Sequence, residues 1–241
     1  MKKPVLSIIT ICIDPNKEIL SRFLSSLKQY TTCNYELIII DNAGKDRETS
    51  NFLEEQSTTY IRLEKQKSVA EAWNLGIKNS HGEYVLITND DIVLPENWFS
   101  NMKEGFSMFP KVGIVAPVMN YGLAEQTHIG TIWQKNIACP VILTPFKQII
   151  WGVCMLFTKN SIKEIGGFSE DYTIAGGEDL DTCFKIYKQG FNIVVDHRVF
   201  IYHEWGATGR RIYGNDEREQ IYQKNYNKFK KKWSKYTQNW S

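Results

Sequence analysis

The sequence predicts an α/β protein: a doubly wound, mainly parallel central sheet flanked by helices, with a helical C-terminal tail. Three observations lead there. Apolar, β-rich runs of strand length recur at 5–13, 36–40, 84–87 and 112–116, without the polar alternation of a half-exposed strand. Stretches with helical apolar spacing lie between them, such as Ile19, Phe23, Leu24 and Leu27, and this alternation marks a parallel sheet. Finally, the 84–87 run stops at Asn89-Asp90-Asp91, two adjacent carboxylates where α/β sheets place their ligands.

Taken in order, the 5–13 strand turns at Asp14-Pro15-Asn16, and the Ile19 stripe forms the first helix. The second strand, 36–40, ends in Asp41-Asn42-Ala43-Gly44. A charged helix reaches about Gln56, and a short strand covers 60–63. Val69, Ala72, Trp73, Gly76 and Ile77 make a helix stopped by Ser80-His81-Gly82. After the central strand, Pro95 marks the first turn of a helix from about Glu96, the place where proline is tolerated. Residues 117–148 break the rhythm and read as loop and irregular strand, with no chemistry assigned. Further strands are expected at 149–157, 191–195 and 200–202, and a helix beginning at Glu178 carries Leu180, Cys183, Phe184 and Tyr187 on one face. At roughly 100° per residue, Asp179 lies at the edge of that stripe and Glu178 on its far side.

Composition narrows the class. The chain has 241 residues, 42% hydrophobic and 23% charged, enough for one large domain or a domain with a tail. A net charge of +2 gives no global field for nucleic acid. Five scattered cysteines show no paired spacing, which argues against a disulfide framework or zinc site and for a reducing cytoplasm. The apolar start is read as a first strand rather than a signal peptide, and no segment approaches membrane-spanning length.

The 5–13 strand, Asp41, Asn89-Asp90-Asp91, Gly177-Glu178-Asp179 and His203 together resemble family 2 glycosyltransferases, inverting enzymes of the GT-A fold. The second half is the more specific: Trp151-Gly152-Val153-Cys154-Met155-Leu156, Gly166-Gly167-Phe168, Gly177-Glu178-Asp179-Leu180-Asp181 and His203-Glu204-Trp205-Gly206 follow the order of the rhamnosyltransferase-like branch. The resemblance implies a GT-A-like domain over 1–215, with a nucleotide-binding half at 1–116 and an acceptor and catalytic half at 117–215. It also implies a divalent Mn2+ or Mg2+ ion held by Asp91 and His203 under the donor diphosphate, with Asn89 and Asp90 toward ribose or sugar. Asp179, beside Glu178, matches the general base. Thr10, Cys12, Asp14, Asp41, Gln66 and Asn74 would line the nucleotide, and Lys67 could reach phosphate. Arg210 and Arg211 follow a segment able to close over the diphosphate. Trp151 and Gly152, and more loosely Trp133, would meet the acceptor.

Blander readings stand beside these. The Asp90-Asp91 pair can be a solvated turn capping the next helix. Glu178 and Asp179 can simply favour a helix N-terminus. Asp41 can be an ordinary turn aspartate, His203 and Trp151 core residues, and Lys67, Arg210 and Arg211 surface cations. The chain departs from the family pattern at Asn89, at Ile11-Cys12-Ile13-Asp14 and at Ser68.

In the 216–241 tail, Tyr222, Tyr226, Phe229, Trp233, Tyr236 and Trp240 share one helical face, amid Lys224, Lys228, Lys230, Lys231, Lys232 and Lys235. Such a basic, aromatic-striped helix reads as an interfacial membrane helix or a docking surface. The alternative is packing on the catalytic domain or on a second subunit, as in a homodimer.

The function expected is inverting, metal-dependent transfer of a sugar, with L-rhamnose the branch's suggestion. The donor would be a dTDP- or UDP-sugar, and the acceptor a hydroxyl of a glycan or lipid-linked glycan. A degenerate family member serving glycan binding or assembly is the alternative. A nucleotidyltransferase fits less well, because 11–16 lacks a Gly-rich, Arg-containing loop. The expected location is the cytoplasm, with peripheral contact at the inner face of the cell membrane.

Overall fold

The computed structural model describes residues 3–120, 139–204 and 207–238, with the side chains of 207–211 and 213 left aside. Nine strands form the sheet: β1 (Leu6–Cys12), β2 (Tyr35–Asp41), β3 (Thr59–Arg62), β4 (Tyr84–Thr88), β5 (Ile92–Val93), β6 (Val112–Met119), β7 (Pro140–Ile142), β8 (Cys154–Thr158) and β9 (Asn192–His203). The helices are α1 (Lys17–Tyr30), α2 (Arg47–Gln56), α3 (Val69–Lys78), α4 (Trp98–Met108), α5 (Lys159–Glu164), α6 (Glu178–Lys188) and α7 (Ala207–Lys232). Strand order is β3-β2-β1-β4-β8-β6-β9-β5, with β7 also paired to β9. The expectation of a mainly parallel sheet holds, with one qualification. β8 runs antiparallel between β4 and β6, and β5 and β7 oppose β9.

Local chemistry accounts for the elements that frame the site. Asn16 caps α1 by accepting from the backbone of Glu18 and Ile19, and Leu20, Phe23 and Leu27 bury its inner face. Ser68 caps α3 in a reciprocal pair with Glu71, a local role for the residue that departs from the family pattern. The central strands carry Ile8, Ile9, Ile38, Ile39, Leu86 and Ile87, all buried, between two apolar layers.

Four boundaries differ from the sequence reading. The helix expected from Glu96 starts at Trp98, with Asn97 before it in the left-handed region at φ 59°. The expected 149–157 strand begins only at Cys154, opposite Thr88, the last residue of β4. Val153 still accepts from Asn89, one step past Thr88, and Gly152 then turns its N–H to Asp179. The runs at 191–195 and 200–202 are one strand, β9, whose register against β6 shifts between Pro117 and Val118. β6 extends through Met119, into the stretch read as irregular.

The tail stripe packs on the domain. Phe229 and Trp233 are buried; their rings lie 4.9 and 5.4 Å from that of Phe184 on α6, and Tyr236 stacks on Phe146 at 4.1 Å. Trp240 lies outside the described residues. Non-helical dihedrals at Gly214 (φ 66°, ψ −174°) divide α7 in two. Among the described residues, no helix is long and apolar enough to cross a membrane.

Candidate active site

Parallel pairing brings three strand ends to one edge. Cys12 lies opposite Asp41, and Thr10 opposite Thr88, so the Asn89-Asp90-Asp91 turn leaves β4 beside the ends of β1 and β2. Thr10 is fully buried, and its hydroxyl has no hydrogen-bond partner among the described residues. The Cys12 thiol hydrogen-bonds Asp90 and is held well above the ordinary cysteine range by burial first and the Asp90 charge next. Asp14, at φ 42°, accepts from the backbone of Lys45 (2.6 Å) and Asp46 (3.1 Å).

Asp41 is buried and closely engaged. Its Oδ1 accepts from Gly44 N–H at 2.8 Å; its Oδ2 accepts from Ser50 (2.9 Å), Tyr60 (2.6 Å) and Arg62 (3.0 Å). A nucleobase would have to compete with these donors. Asn74 is further from the donor role expected of it. Its amide donates to the Phe168 carbonyl (2.9 Å) and Glu170 (2.8 Å) and accepts from Phe168 N–H (2.8 Å), which makes it a tether between α3 and the turn after α5. Lys67 points along α3 to Glu71 at 3.0 Å rather than into the edge, and Asn42 pairs with its backbone. Gln66 is exposed.

The short strand β5 brings Asp91 and His203 together. Ile92 pairs with His203 on β9, Glu204 N–H donates to the Asp91 carbonyl at 3.0 Å, and Asp91 Oδ1 lies 3.3 Å from His203 Nε2. The Asn89 amide is 3.4 Å from the same nitrogen. Both side chains are buried, 8% and 4% exposed. Asn120 fixes the histidine from behind, accepting from its N–H (2.7 Å) and donating to its carbonyl (3.1 Å). That residue follows β6 directly, and the sequence reading missed it; its position beside the strand end that carries His203 was the available signal. A carboxylate oxygen and an imidazole nitrogen this close fit one divalent ion, which takes few protein ligands when phosphate oxygens and water complete its shell. Among the described residues, no three His, Cys, Asp or Glu side chains form a metal cluster.

The second carboxylate pair opens α6. Gly177 precedes it at φ 100°, a conformation that favours glycine, and a β-carbon there would meet the Tyr172 ring at 2.8 Å. Asp179 Oδ2 accepts from Gly152 N–H at 3.0 Å and Oδ1 from Leu180 N–H at 2.9 Å. Gly152 fits between Trp73 and Asp179, which a β-carbon would approach to 3.0 and 3.1 Å. The next residue, Val153, accepts from Asn89 N–H at 3.0 Å. Two consecutive residues therefore join the Asn89-Asp90-Asp91 turn to Asp179: Val153 carries the β4–β8 pairing one step further, and Gly152 turns to Asp179. Trp151 is half-buried on the fringe of the core.

The helical-wheel expectation for Glu178 is corrected. It is the more buried carboxylate, at 5% exposure. Burial, then the Asp179 charge, pushes its carboxyl up to about 8. Burial also raises Asp179, against the pull of the Gly152 and Leu180 amides.

The braces of this pair come from α7. Asn225, buried, accepts from Thr173 N–H (3.2 Å) and donates to the carbonyls of Thr173 (2.8 Å) and Ala175 (3.0 Å). Asp181 Oδ1 receives Trp233 Nε1 (2.7 Å), Tyr172 OH (3.1 Å) and Lys232 Nζ (2.9 Å). Asp181 stood in the quoted motif without a role; its partners lie on an element that periodicity alone does not dock. The backbone of Arg210 and Arg211 is in α7, but their side chains, like Trp133 and Trp205-Gly206, lie outside the described residues.

A mixed sheet flanked by helices, with acidic turns at the ends of its parallel strands, defines an α/β domain of the GT-A kind. The chain belongs to glycosyl transferase family 2, whose model matches residues 7–166; a second model, the N-terminal domain of galactosyltransferase, matches 144–205. It is 34% identical over 192 residues to an uncharacterized glycosyltransferase of Haemophilus influenzae, covering 77% of this chain and 63% of that protein. It is 26% identical over 202 residues to a poly-beta-1,6-N-acetyl-D-glucosamine synthase of Staphylococcus epidermidis, covering 80% and 48%. The fold matches the crystal structure of GalNAc-T7 with UDP, GalNAc and Mn2+ at a TM-score of 0.75 and 16% identity, over 98% of this chain and 50% of that one. The chain thus spans less than two thirds of the length of each of these proteins. The rhamnosyltransferase-like branch is not among the features these matches establish.

Proposed function

We propose that the protein is an inverting, metal-dependent glycosyltransferase that moves a sugar from a nucleoside-diphosphate donor to a hydroxyl of a glycan or lipid-linked glycan. The observation that carries this is the Gly152-Val153 bridge, which ties the Asn89-Asp90-Asp91 turn to Asp179 through two backbone hydrogen bonds. Asp91 and His203 would hold the ion. A bound Mn2+ or Mg2+ offsets the charge that develops on the departing diphosphate, and the Mn2+ and UDP in the GalNAc-T7 structure support that assignment. Asp90 and Cys12 line the ribose side, and Asp14 and Asp41 hold the loop that borders the base.

Asp179 is the general base. As the acceptor oxygen bonds to the anomeric carbon, its proton passes to the Asp179 carboxylate, and the bond to the diphosphate oxygen breaks with its electron pair leaving on the nucleoside diphosphate. Its raised basicity brings it nearer the working pH, as such a base requires. Glu178, neutral at pH 7, leaves the pair with a single negative charge to direct at the acceptor. Trp151 and Gly152 stand on the acceptor side. The donor is a dTDP- or UDP-sugar, with L-rhamnose the sugar suggested by the branch resemblance.

The test is nucleoside-diphosphate release from UDP-, dTDP- and GDP-sugars, with Mn2+ or Mg2+ and with chelator, alongside donor binding. Release from one donor, abolished by chelator and reduced in Asp91→Ala by about 10²-fold or more, is the expected result. Absence of both release and donor binding would favour the degenerate, glycan-binding reading.

A further inference from the structure

We propose that the lysine face of the C-terminal helix docks the protein on an anionic lipid bilayer. Lys224, Lys228 and Lys231 on α7 and Lys235 in the turn after it recur at steps of four, three and four; the three helical lysines lie within an arc of roughly 60° along about 10 Å of helix. All four are exposed. The aromatic stripe faces the other way, centred about 140° around the helix, and its members Phe229 and Trp233 are buried in the domain. The packing that removes the aromatics from solvent thus fixes the lysines outward on a rigid support.

Neighbouring charge extends the face. Residues 222–238 contain no acidic side chain. Lys188, at the end of α6, lies 5.9 Å from the Trp233 ring, and Lys147 follows Phe146, which stacks on Tyr236. From the adjoining turn, Asp171 pairs with Lys232 at 3.4 Å, and its carbonyl accepts from Lys228. It therefore offsets one edge of the patch, while among the described residues the amines of Lys224 and Lys231 have no ion-pair partner.

The chemistry favours a lipid surface over other polyanions. The stripe is all lysine: compact, hydrated charges suit a diffuse anionic plane, whereas phosphates read in fixed geometry are met by guanidinium forks. Tyr236 leaves 36% of its surface exposed beside the stripe, an amphipathic ring of the kind that settles at headgroup level. Each lysine near such a surface contributes about fivefold in partitioning, so four together give roughly several-hundred-fold. Contact through lysines rather than buried aromatics makes the association salt-sensitive.

The experiment is co-sedimentation of the full chain with sucrose-loaded phosphatidylcholine vesicles, with and without 30 mol % phosphatidylglycerol, at ~50 and ~300 mM NaCl. The comparison variant is Lys224→Gln/Lys228→Gln/Lys231→Gln/Lys235→Gln, with its thermal melt as the check on folding. Binding confined to the anionic vesicles, weakened by salt and reduced about a hundredfold or more in the variant, is the expected result. If the fourfold variant does not fold, Lys224→Gln and Lys231→Gln alone should each lower binding about fivefold. No preference for anionic vesicles, undiminished binding by the variants, or binding to soluble heparin but not to vesicles would overturn the proposal. None of these outcomes depends on glycosyl transfer, so the catalytic reading stands or falls separately.

Discussion

The two carboxylate pairs, Asp90-Asp91 and Glu178-Asp179, are joined through Gly152-Val153 yet are held in different ways. The first pair is a strand end. β4 pairs with β1 and β8, and wherever those strands register, the turn follows. The second opens a helix whose first turn has no side-chain cap and depends on Asn225, Trp233 and Lys232, contributed from some 50 residues further along the chain. The donor side is thus set by the sheet and the base by tertiary braces. Damage to α7 should impair catalysis while leaving nucleotide binding largely intact.

Asp179→Asn is the largest test of that division. Its one amide oxygen can accept from Gly152 or Leu180 but not both, and the base is gone, so turnover should fall about 10²–10⁴-fold while donor affinity stays within a small factor. Comparable losses in donor affinity and turnover would show that the two pairs work as one site.

Asn225→Ala comes next. It strips the partners from a partly buried N–H and two carbonyls, at a cost of about 1 kcal/mol, since water can reach such groups in part. The melting temperature should fall, and turnover should fall further than donor affinity. Unchanged turnover at a temperature where the variant is folded would remove Asn225 from the positioning of the base.

Glu178→Gln gives the most specific effect. Because the folded-state carboxyl lies at about 8, above its ordinary 4.5, the folded protein retains a proton that the unfolded chain releases. Stability therefore declines as pH rises from about 4.5 to about 8. The amide cannot titrate, so the variant's unfolding free energy should be flatter across that window, by an amount on the order of a few kcal/mol. Parallel pH profiles for the two proteins would contradict the buried, neutral assignment.

The same contrast separates what was legible in the sequence from what was not. Asp91 and His203 could be read because each ends an apolar run, and sheet pairing then places strand ends together. Glu178 was misjudged because a helical wheel records one buried face, whereas α6 also buries Glu178, on its other side. Residues 151–153 resemble strand in composition; the turn of Gly152 toward Asp179 is a contact that no local pattern encodes. Asn74 and Ser68 sit in the family's motif yet are tied to Phe168 and Glu71, a distinction that side-chain geometry alone makes.

The Asn225 and Asp181 braces also order events in time. A ribosome that adds ~5–20 residues per second and releases domains from the N-terminal side completes β1, β4 and the Asp91 turn well before Asn225 and Trp233 emerge. The strands that carry Asp91 and His203 are thus all made before the residues that orient Asp179. Catalytic competence then arrives late in translation, and chains cut short before Asn225 would capture nucleotide sugar without transferring it efficiently.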